Sequence, residues 1–289
     1  EIYTLSLHDA LPISRGKTLR IYPRLIYVCS ILLGGFAVSA AVQPRWTDTF
    51  QLPALEDGIS NPGVARPFAG EHQGVAILAG GANFRMKPLV DGGTKCYCAE
   101  IYTCSANSNQ WVRAGLLPQP LAEGVSVSTP HGIVCVGGTD GKALSAGAFL
   151  LKVNAASRIA IAPLPDFPFG FKMGAAAYYQ DRVYVVANHA GQGSDVWVLD
   201  LRARTCGWRA LPALPRAREQ PVAAIQNTAM QKTALFVFAG FGTHGLALTD
   251  GYAYDLAKGE TGSWQQLPST TQAQAHFPVV GAQAVASGD

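Results

Sequence analysis

Short apolar segments recur along most of the chain, and turn residues or pairs of small residues separate them. Residues 75–79 and 133–136 are typical: each is a β-branched run that follows a turn and ends in two glycines. Short apolar runs bounded by turn signals are typical of β-strands. The pattern predicts an all-β fold made of many short strands.

The predicted strands recur as a unit of four. A small-residue strand, a turn and a β-branched strand that ends in two small residues come first, followed by a strand with an aromatic or aliphatic centre and a strand closed by Leu-Pro. The four copies span residues 63–118, 119–165, 166–212 and 213–268, and the second small residue of the pair stands at 81, 138, 188 and 240. A period of about 50 residues with four strands per unit is typical of a kelch-type β-propeller.

The recurring residues have physical roles in a propeller blade. Paired small residues let neighbouring sheets approach without a clash between Cβ atoms. Trp, present in three of the copies, fills the wedge that widens away from the axis, and Leu-Pro ends the outer strand because proline cannot donate to a ladder. A β-sandwich is the alternative fold, but it does not require these residues to stay in phase over the copies.

The strand count predicts that the propeller is incomplete. Residues 45–53 have the features of a lone fourth strand, and residues 280–286 those of the first strand of a fifth copy that begins near residue 269. Four complete blades and one strand at each end fall short of a closed ring of six blades. We therefore expect residues 42–289 to be a propeller cut inside its fifth blade, with unpaired sheet edges that favour aggregation.

The first part of the chain differs from the repeats. Residues 1–14 share no periodicity with the downstream segments and resemble translated adaptor sequence, with a genuine upstream segment as the alternative. Residues 15–41 combine basic residues, an uncharged apolar run and small residues at a cleavage position, which are features of a secretory signal peptide rather than a permanent anchor. We expect a periplasmic or secreted protein without membrane attachment after cleavage.

Composition narrows the function classes. Of 289 residues, 48% are hydrophobic and 14% charged, and 22 basic against 19 acidic residues give a net charge of +3. This apolar content suffices for a large core and excludes an intrinsically disordered chain. The absence of charge blocks gives no indication of a nucleic-acid partner, and the oligomeric state stays open.

The cysteines point to neither a metal site nor a cofactor. Five follow the signal segment: Cys96, Cys98, Cys104, Cys135 and Cys206. Cys96 and Cys98 could form half of a zinc site, but the second pair or the histidines at set spacing that such a site requires are missing. Packed or unpaired thiols are the favoured interpretation, and a single disulfide is compatible with the sequence.

The topology predicts where polar loops converge. Because the strands of a blade alternate in direction, the lead-in loop before strand one and the loop after strand two lie on the same face of the ring, which we name the funnel face. Its polar candidates are Asn83, Lys87, Asp91, Lys95, Asp140, His189, Thr243 and His244 after strand two, and Arg66, Gln119, Glu123, Lys172, Arg216, Arg218, Glu219, Gln220 and His276 in lead-in loops. Cations that pair with carboxylates and groups that move protons suit an anionic, polyhydroxylated ligand.

Three stretches resemble a known family. Residues 63–70 (GVARPFAG), 79–84 (AGGANF) and 117–127 (LPQPLAEGVSV) are similar to the kelch-type N-acetylneuraminate epimerases, or sialic acid mutarotases, of the cyclically permuted branch. The resemblance implies an exported, cofactor-free isomerase that interconverts the anomers of N-acetylneuraminate or a related acidic sugar. It further implies that Asn83, Arg216, Arg218 and Glu219 bind the substrate.

The resemblance also sets limits. The family's catalytic Glu and Arg are expected in a sixth blade beyond this sequence, so the catalytic residues here are unknown and the fragment would be inactive. The chain departs from the family over residues 96–100, at Gln119 (usually Arg) and at Glu123 (usually Tyr). A non-catalytic kelch propeller that binds glycan or protein is the alternative function. A copper radical oxidase is weaker still, because no motif places its Tyr/His copper set.

Overall fold

The structure is a computed structural model that describes residues 51–55, 58–108, 110–154, 158–189, 193–227, 232–242 and 245–267. These residues lie in one compact unit. The strands in the described part are β1 (Phe68–His72), β2 (Val75–Ala79), β3 (Ala82–Asn83), β4 (Cys96–Tyr97), β5 (Glu100–Ser105), β6 (Trp111–Leu116), β7 (Val125–Thr129), β8 (Gly132–Val136), β9 (Ala148–Val153), β10 (Ile159–Pro163), β11 (Ala175–Tyr179), β12 (Arg182–His189), β13 (Gly193–Asp200), β14 (Arg209–Leu211), β15 (Val222–Asn227), β16 (Thr233–Phe238), β17 (Gly251–Asp255) and β18 (Trp264–Gln266).

Helical structure in the described residues is confined to short 3-10 turns. They span Leu89–Asp91, Arg204–Cys206 and Leu256–Thr261. Within the described ranges, no helix is long and apolar enough to cross a bilayer.

Four antiparallel sheets of four strands each form the described part of the propeller. Their orders are β1-β2-β5-β6, β7-β8-β9-β10, β11-β12-β13-β14 and β15-β16-β17-β18, so each sheet is a meander that forms one blade. The hairpin β3–β4 is inserted between the second and third strands of the first blade. The predicted all-β, kelch-type propeller is confirmed, and each blade falls within one copy of the repeat.

Neighbouring blades approach closely at the paired small residues. A Cβ on Gly80 would lie 2.2 Å from the carbonyl oxygen of Leu121, in the next blade. The N–H of Gly81 donates to that same oxygen at 2.8 Å, and Gly138 donates to the carbonyl of Phe171 at 2.8 Å. The small residues are therefore required both for room and for hydrogen bonds between blades.

The core consists of apolar layers between successive blades. The layer between the first and second blades includes Phe68, Ile77 and Ile133, and similar layers follow between the second and third and between the third and fourth. The first strands β1, β7, β11 and β15 contact one another in succession. This packing orders the blades around a common centre and brings their lead-in loops together.

Tryptophan has a second role that the sequence did not reveal. The indole Nε1 of Trp208 donates to the carbonyl of Pro165 at 2.8 Å, and that of Trp264 donates to Pro212 at 2.8 Å. In each case the acceptor is the proline that closes the preceding copy. Trp and Leu-Pro therefore stay in phase because they meet across a blade boundary.

Some expectations differ from the structure or fall outside it. The sequence pattern predicts the first strand over residues 64–70, whereas β1 begins at Phe68 because the backbone turns at Arg66, where φ is 51°. Residues 51–53 of the expected lone strand are not in a strand. The remainder of that strand, residues 1–41 and the start of a fifth blade from residue 269 lie outside the described residues.

Candidate functional site

The loops expected on the funnel face lie side by side in the structure. A short antiparallel bridge joins the lead-in loop to the loop after the second strand in three blades. The bridged pairs are Ala65–Ala82, Ala122–Thr139 and Glu219–Phe241. The polar candidates of these loops that belong to the described residues therefore share one end of the propeller. Thr243, His244 and His276 lie outside the described residues.

Four residues of the lead-in loops form an inner ring on this face. Arg66, Glu123, Met173 and Gln220 each stand two positions before the first strand of a blade, with φ of 51°, 66°, 56° and 51°. Non-glycine residues in this left-handed region are uncommon. Because this left-handed conformation recurs at the same position in all four described blades, it is a regular feature of the repeat.

Backbone hydrogen bonds connect the inner ring from blade to blade. The N–H of Glu123 donates to the carbonyl of Arg66 at 3.0 Å, and the N–H of Met173 donates to Glu123 at 2.6 Å. Gln220 continues the series by donating to Met173 at 2.9 Å. The Arg66 guanidinium donates to Oε1 of Gln220 at 2.7 Å, which brings the first and fourth blades together. The ring holds its side chains at the centre of the funnel face.

A buried carboxylate in this ring joins two lysines from the neighbouring blades. Oε1 of Glu123 contacts Nζ of Lys95, and Oε2 lies 3.2 Å from Nζ of Lys172. The carboxylate side chain is 3% exposed, whereas the lysine side chains are 37% and 45% exposed. We name these three residues the lysine cluster.

The β3–β4 hairpin carries Lys95 to this position. Lys95 directly precedes β4, and its Nζ lies 5.1 Å from the ring centroid of Tyr97. A Cβ on Gly141, in the loop after the second strand of the second blade, would lie 2.3 Å from that ring. Close packing of hairpin on loop therefore fixes the place of Lys95.

The shifted pKa values of Glu123 and Lys95 keep both groups charged at neutral pH. Burial acts to raise the pKa of Glu123, but the hydrogen bond from Lys95 and the charges of Lys95 and Lys172 outweigh it and hold this pKa below its ordinary value. Burial acts to lower the pKa of Lys95, and Glu123 outweighs that effect and raises it. The cluster thus carries one positive charge in excess.

Arg218, one of the predicted substrate-binding residues, is buried in the protein. Its Nη1 donates to the carbonyls of Ala239 at 3.0 Å and Asp250 at 3.2 Å, and its Nη2 donates to Oδ1 of Asp250 at 3.2 Å. The guanidinium lies 5.2 Å from the ring centroid of Tyr252. Burial lowers its pKa, with Asp250 acting in the opposite direction. We name Arg218 and Asp250 the arginine latch, since they fasten the fourth lead-in loop to the segment before β17.

The other predicted binding residues lie at two places on the funnel face. Arg216 is half exposed, with Nη1 at 3.4 Å from Oδ2 of Asp250. Glu219 is exposed and accepts a hydrogen bond from Nδ2 of Asn188 at 3.1 Å. Both are therefore near the arginine latch, in the fourth blade.

Asn83 lies apart from them, on the inserted hairpin of the first blade. Its Nδ2 donates to the carbonyl of Gly63 at 3.1 Å. Its Oδ1 is buried and has no hydrogen-bond partner among the described residues. A buried acceptor without a partner costs free energy, so a ligand hydroxyl or amide that donates there would be stabilised.

The described residues bring no metal site together. Within the described part of the chain, no three His, Cys, Asp or Glu side chains converge as metal ligands would. Cys96, Cys98, Cys104, Cys135 and Cys206 are free thiols, in agreement with the favoured interpretation of the sequence. Arg85, 3.9 Å from Sγ of Cys98, pairs with Glu100 at 3.0 Å.

Known proteins resemble this chain in sequence and in fold. No family model matches the chain. An N-acetylneuraminate epimerase of Vibrio cholerae is 34% identical over 119 residues, which cover 38% of this chain and 30% of that protein. Those of Yersinia enterocolitica and Brucella suis are each 34% identical, over 113 and 119 residues, and cover 35% and 37% of this chain and 28% and 30% of their own lengths. The chain is similar to the N-acetylneuraminate epimerases. The resemblance recognised from the sequence is confirmed, and the match spans less than a third of these relatives.

A solved structure supports the fold. The structure of YjhT matches with a TM-score of 0.55 and 18% sequence identity, over 71% of this chain and 70% of that chain. At this identity the match bears on the propeller architecture.

The residue type of Glu123 alone did not distinguish it from other polar loop residues. Its position two residues before the first strand is the signal that could have found it, because Arg66, Met173 and Gln220 share that place in the repeat. Asp250 and Asn188, the partners of the predicted set, carried no such signal.

Proposed function

We propose that this protein interconverts the anomers of N-acetylneuraminate or a related acidic sugar. The observation that carries the proposal is the similarity to curated N-acetylneuraminate epimerases. The lysine and arginine side chains of the funnel face are compatible with it, since ammonium and guanidinium groups pair with the carboxylate of an acidic sugar.

Anomer exchange requires acid–base catalysis without any net change in atoms or electrons. A base removes the proton of the anomeric hydroxyl while the ring C–O bond breaks, and an acid gives a proton to the ring oxygen. Reclosure on the other face of the carbonyl returns both protons and yields the other anomer. In this proposal the described blades bind and orient the sugar, with Asn83 Oδ1, Arg216 and Glu219 as hydrogen-bonding groups.

A glycan-binding propeller without catalysis is the second candidate. Three carboxylates at or near the funnel face, those of Glu100, Glu123 and Asp250, are each paired with lysine or arginine. Such pairing suits groups that hold a structure or a ligand in place more than groups that exchange protons.

Exchange spectroscopy separates the two candidates. Proton NMR measures the rate at which α- and β-N-acetylneuraminate interconvert with and without the purified protein extended through the sixth blade, because the resemblance places the catalytic Glu and Arg there. A mutarotase increases this rate in proportion to protein concentration. Saturable binding of the sugar with an unchanged exchange rate would replace the mutarotase by the binding propeller.

Export is part of the proposal and rests on residues 15–41. Expression of the chain in a Gram-negative host, followed by fractionation and N-terminal sequencing, should find mature protein in the periplasm with cleavage near residue 41. An uncleaved product in the cytoplasm would contradict it.

A further inference from the structure

We propose that Lys95 and Lys172, held by the buried carboxylate of Glu123, form the subsite that binds the carboxylate of an acidic sugar. The choice of sugar rests on the proposed function, whereas the anion chemistry rests on the cluster itself. Each oxygen of Glu123 faces a different lysine. The two ammonium groups are thereby drawn to the same side chain from blades one and three.

The charges and donors of the cluster leave room for a second anion. Two ammonium groups offer six N–H donors, and the two oxygens of Glu123 occupy a minority of them. Glu123 cancels one of the two positive charges. Since the lysine side chains are more than a third exposed while Glu123 is buried, the remaining donors are open to solvent on the funnel face.

The cluster is also fixed in place before a ligand arrives. Glu123 belongs to the inner ring and is hydrogen-bonded through its backbone to both neighbouring blades. Lys95 lies over Tyr97, which packs against Gly141. Groups that are positioned in advance lose less conformational freedom on binding, so a carboxylate gains more from these two lysines than from mobile surface lysines.

Two other cationic groups at this face, Arg218 and Arg85, are less suited to the task. Arg218 is buried, and backbone carbonyls and Asp250 accept its hydrogen bonds. Arg85 and Glu100 form a pair of equal and opposite charges. Among these, the lysine cluster combines excess charge with exposed donors.

The test compares two lysines of the same face in the full chain. Lys172→Met removes one charge from the cluster, and Lys142→Met removes one from the exposed loop after β8, which carries none of the cluster residues. Calorimetry or saturation-transfer NMR measures binding of N-acetylneuraminate and of its uncharged methyl ester. We expect Lys172→Met to weaken binding of the acid about tenfold and to leave the ester unaffected, while Lys142→Met changes neither by more than about twofold.

Two further variants test whether the charges of the two lysines account for the loss of binding. Lys172→Arg keeps the charge and should keep the affinity for the acid within about threefold, while Lys95→Met should reproduce the loss. Equal effects of Lys172→Met and Lys142→Met, or an equal loss for acid and ester, would overturn the subsite. Failure of the proposed function has a different signature: the acid binds with this lysine dependence, but the anomer exchange rate does not change.

Discussion

The lysine cluster and the arginine latch are built from the same chemistry and differ in which partner is buried. In the cluster the carboxylate of Glu123 is 3% exposed and its cations reach solvent. In the latch the Arg218 side chain is fully buried and donates its hydrogen bonds to Asp250 and to backbone carbonyls. A buried anion thus presents cations to a ligand, whereas a buried cation fastens the fold.

The largest effect should come from removing the buried cation. Arg218→Met removes the donor of Oδ1 of Asp250 and of the Ala239 carbonyl, and breaking a buried pair costs about 3–5 kcal/mol. Urea unfolding measures the change. Arg216→Met removes a half-exposed arginine from the same Asp250 and should cost less than about 1 kcal/mol. Similar losses of unfolding free energy in both variants would show that the buried Arg218 stabilises the fold no more than the half-exposed Arg216 does.

Removing the buried anion should cost less. In Glu123→Gln the two lysines lose their partner, but they can turn to water because their side chains are already partly exposed. We expect a loss of about 1–2 kcal/mol in the free energy of unfolding. A loss as large as that of Arg218→Met would show that the lysines cannot rehydrate, contrary to the proposal that their donors are open to solvent.

Acid should remove the contribution of Glu123. The folded protein holds the pKa of this carboxyl below its ordinary value, so its stabilisation is present above the unfolded pKa and is lost as pH falls through the folded one. The stability difference between the native chain and Glu123→Gln should therefore shrink from neutral pH toward pH of about 3. Urea titrations at several pH values measure this stability difference. An increase in the difference as the pH falls would contradict the prediction.

The smallest effect concerns the support of Lys95. Gly141→Ala places a Cβ against the Tyr97 ring at a φ of +90°, while Gly92→Ala has a similar φ of +82° and open space around it. Both should lose about 1 kcal/mol of stability for the left-handed backbone. Only Gly141→Ala should also weaken binding of N-acetylneuraminate, by about twofold to threefold, because it displaces the hairpin. Equal affinities for N-acetylneuraminate in the two variants would show that the position of the hairpin does not affect binding at the subsite.

Much of the fold could be predicted because its signals are local and repeated. The paired small residues, the turns and the β-branched runs mark each blade. The sequence pattern predicts second strands that begin at residues 75, 133, 182 and 234, and β2, β8, β12 and β16 begin within one residue of these positions. The predicted start of β1 was wrong because the residue in the left-handed conformation is Arg66 rather than a glycine, which would have indicated a turn.

The site was harder to predict because the type of a residue does not show whether the fold buries its side chain. Arg218 and Lys172 both belong to polar lead-in loops, yet the first is enclosed and the second reaches solvent. The difference depends on Asp250 and Tyr252, more than thirty residues from Arg218 in the chain. A single sequence shows which face such residues share but not which of them the fold encloses.

The hydrogen bonds from Trp208 to Pro165 and from Trp264 to Pro212 have a consequence for how such proteins evolve and can be recombined. Any crossover placed between a closing proline and the next tryptophan separates a donor from its acceptor. A copied or transplanted module keeps this contact only if the flanking module supplies a matching Trp or Pro. The module that can be copied or exchanged is therefore one full period of the sequence, wherever that period begins. It does not have to coincide with the sheet of a single blade.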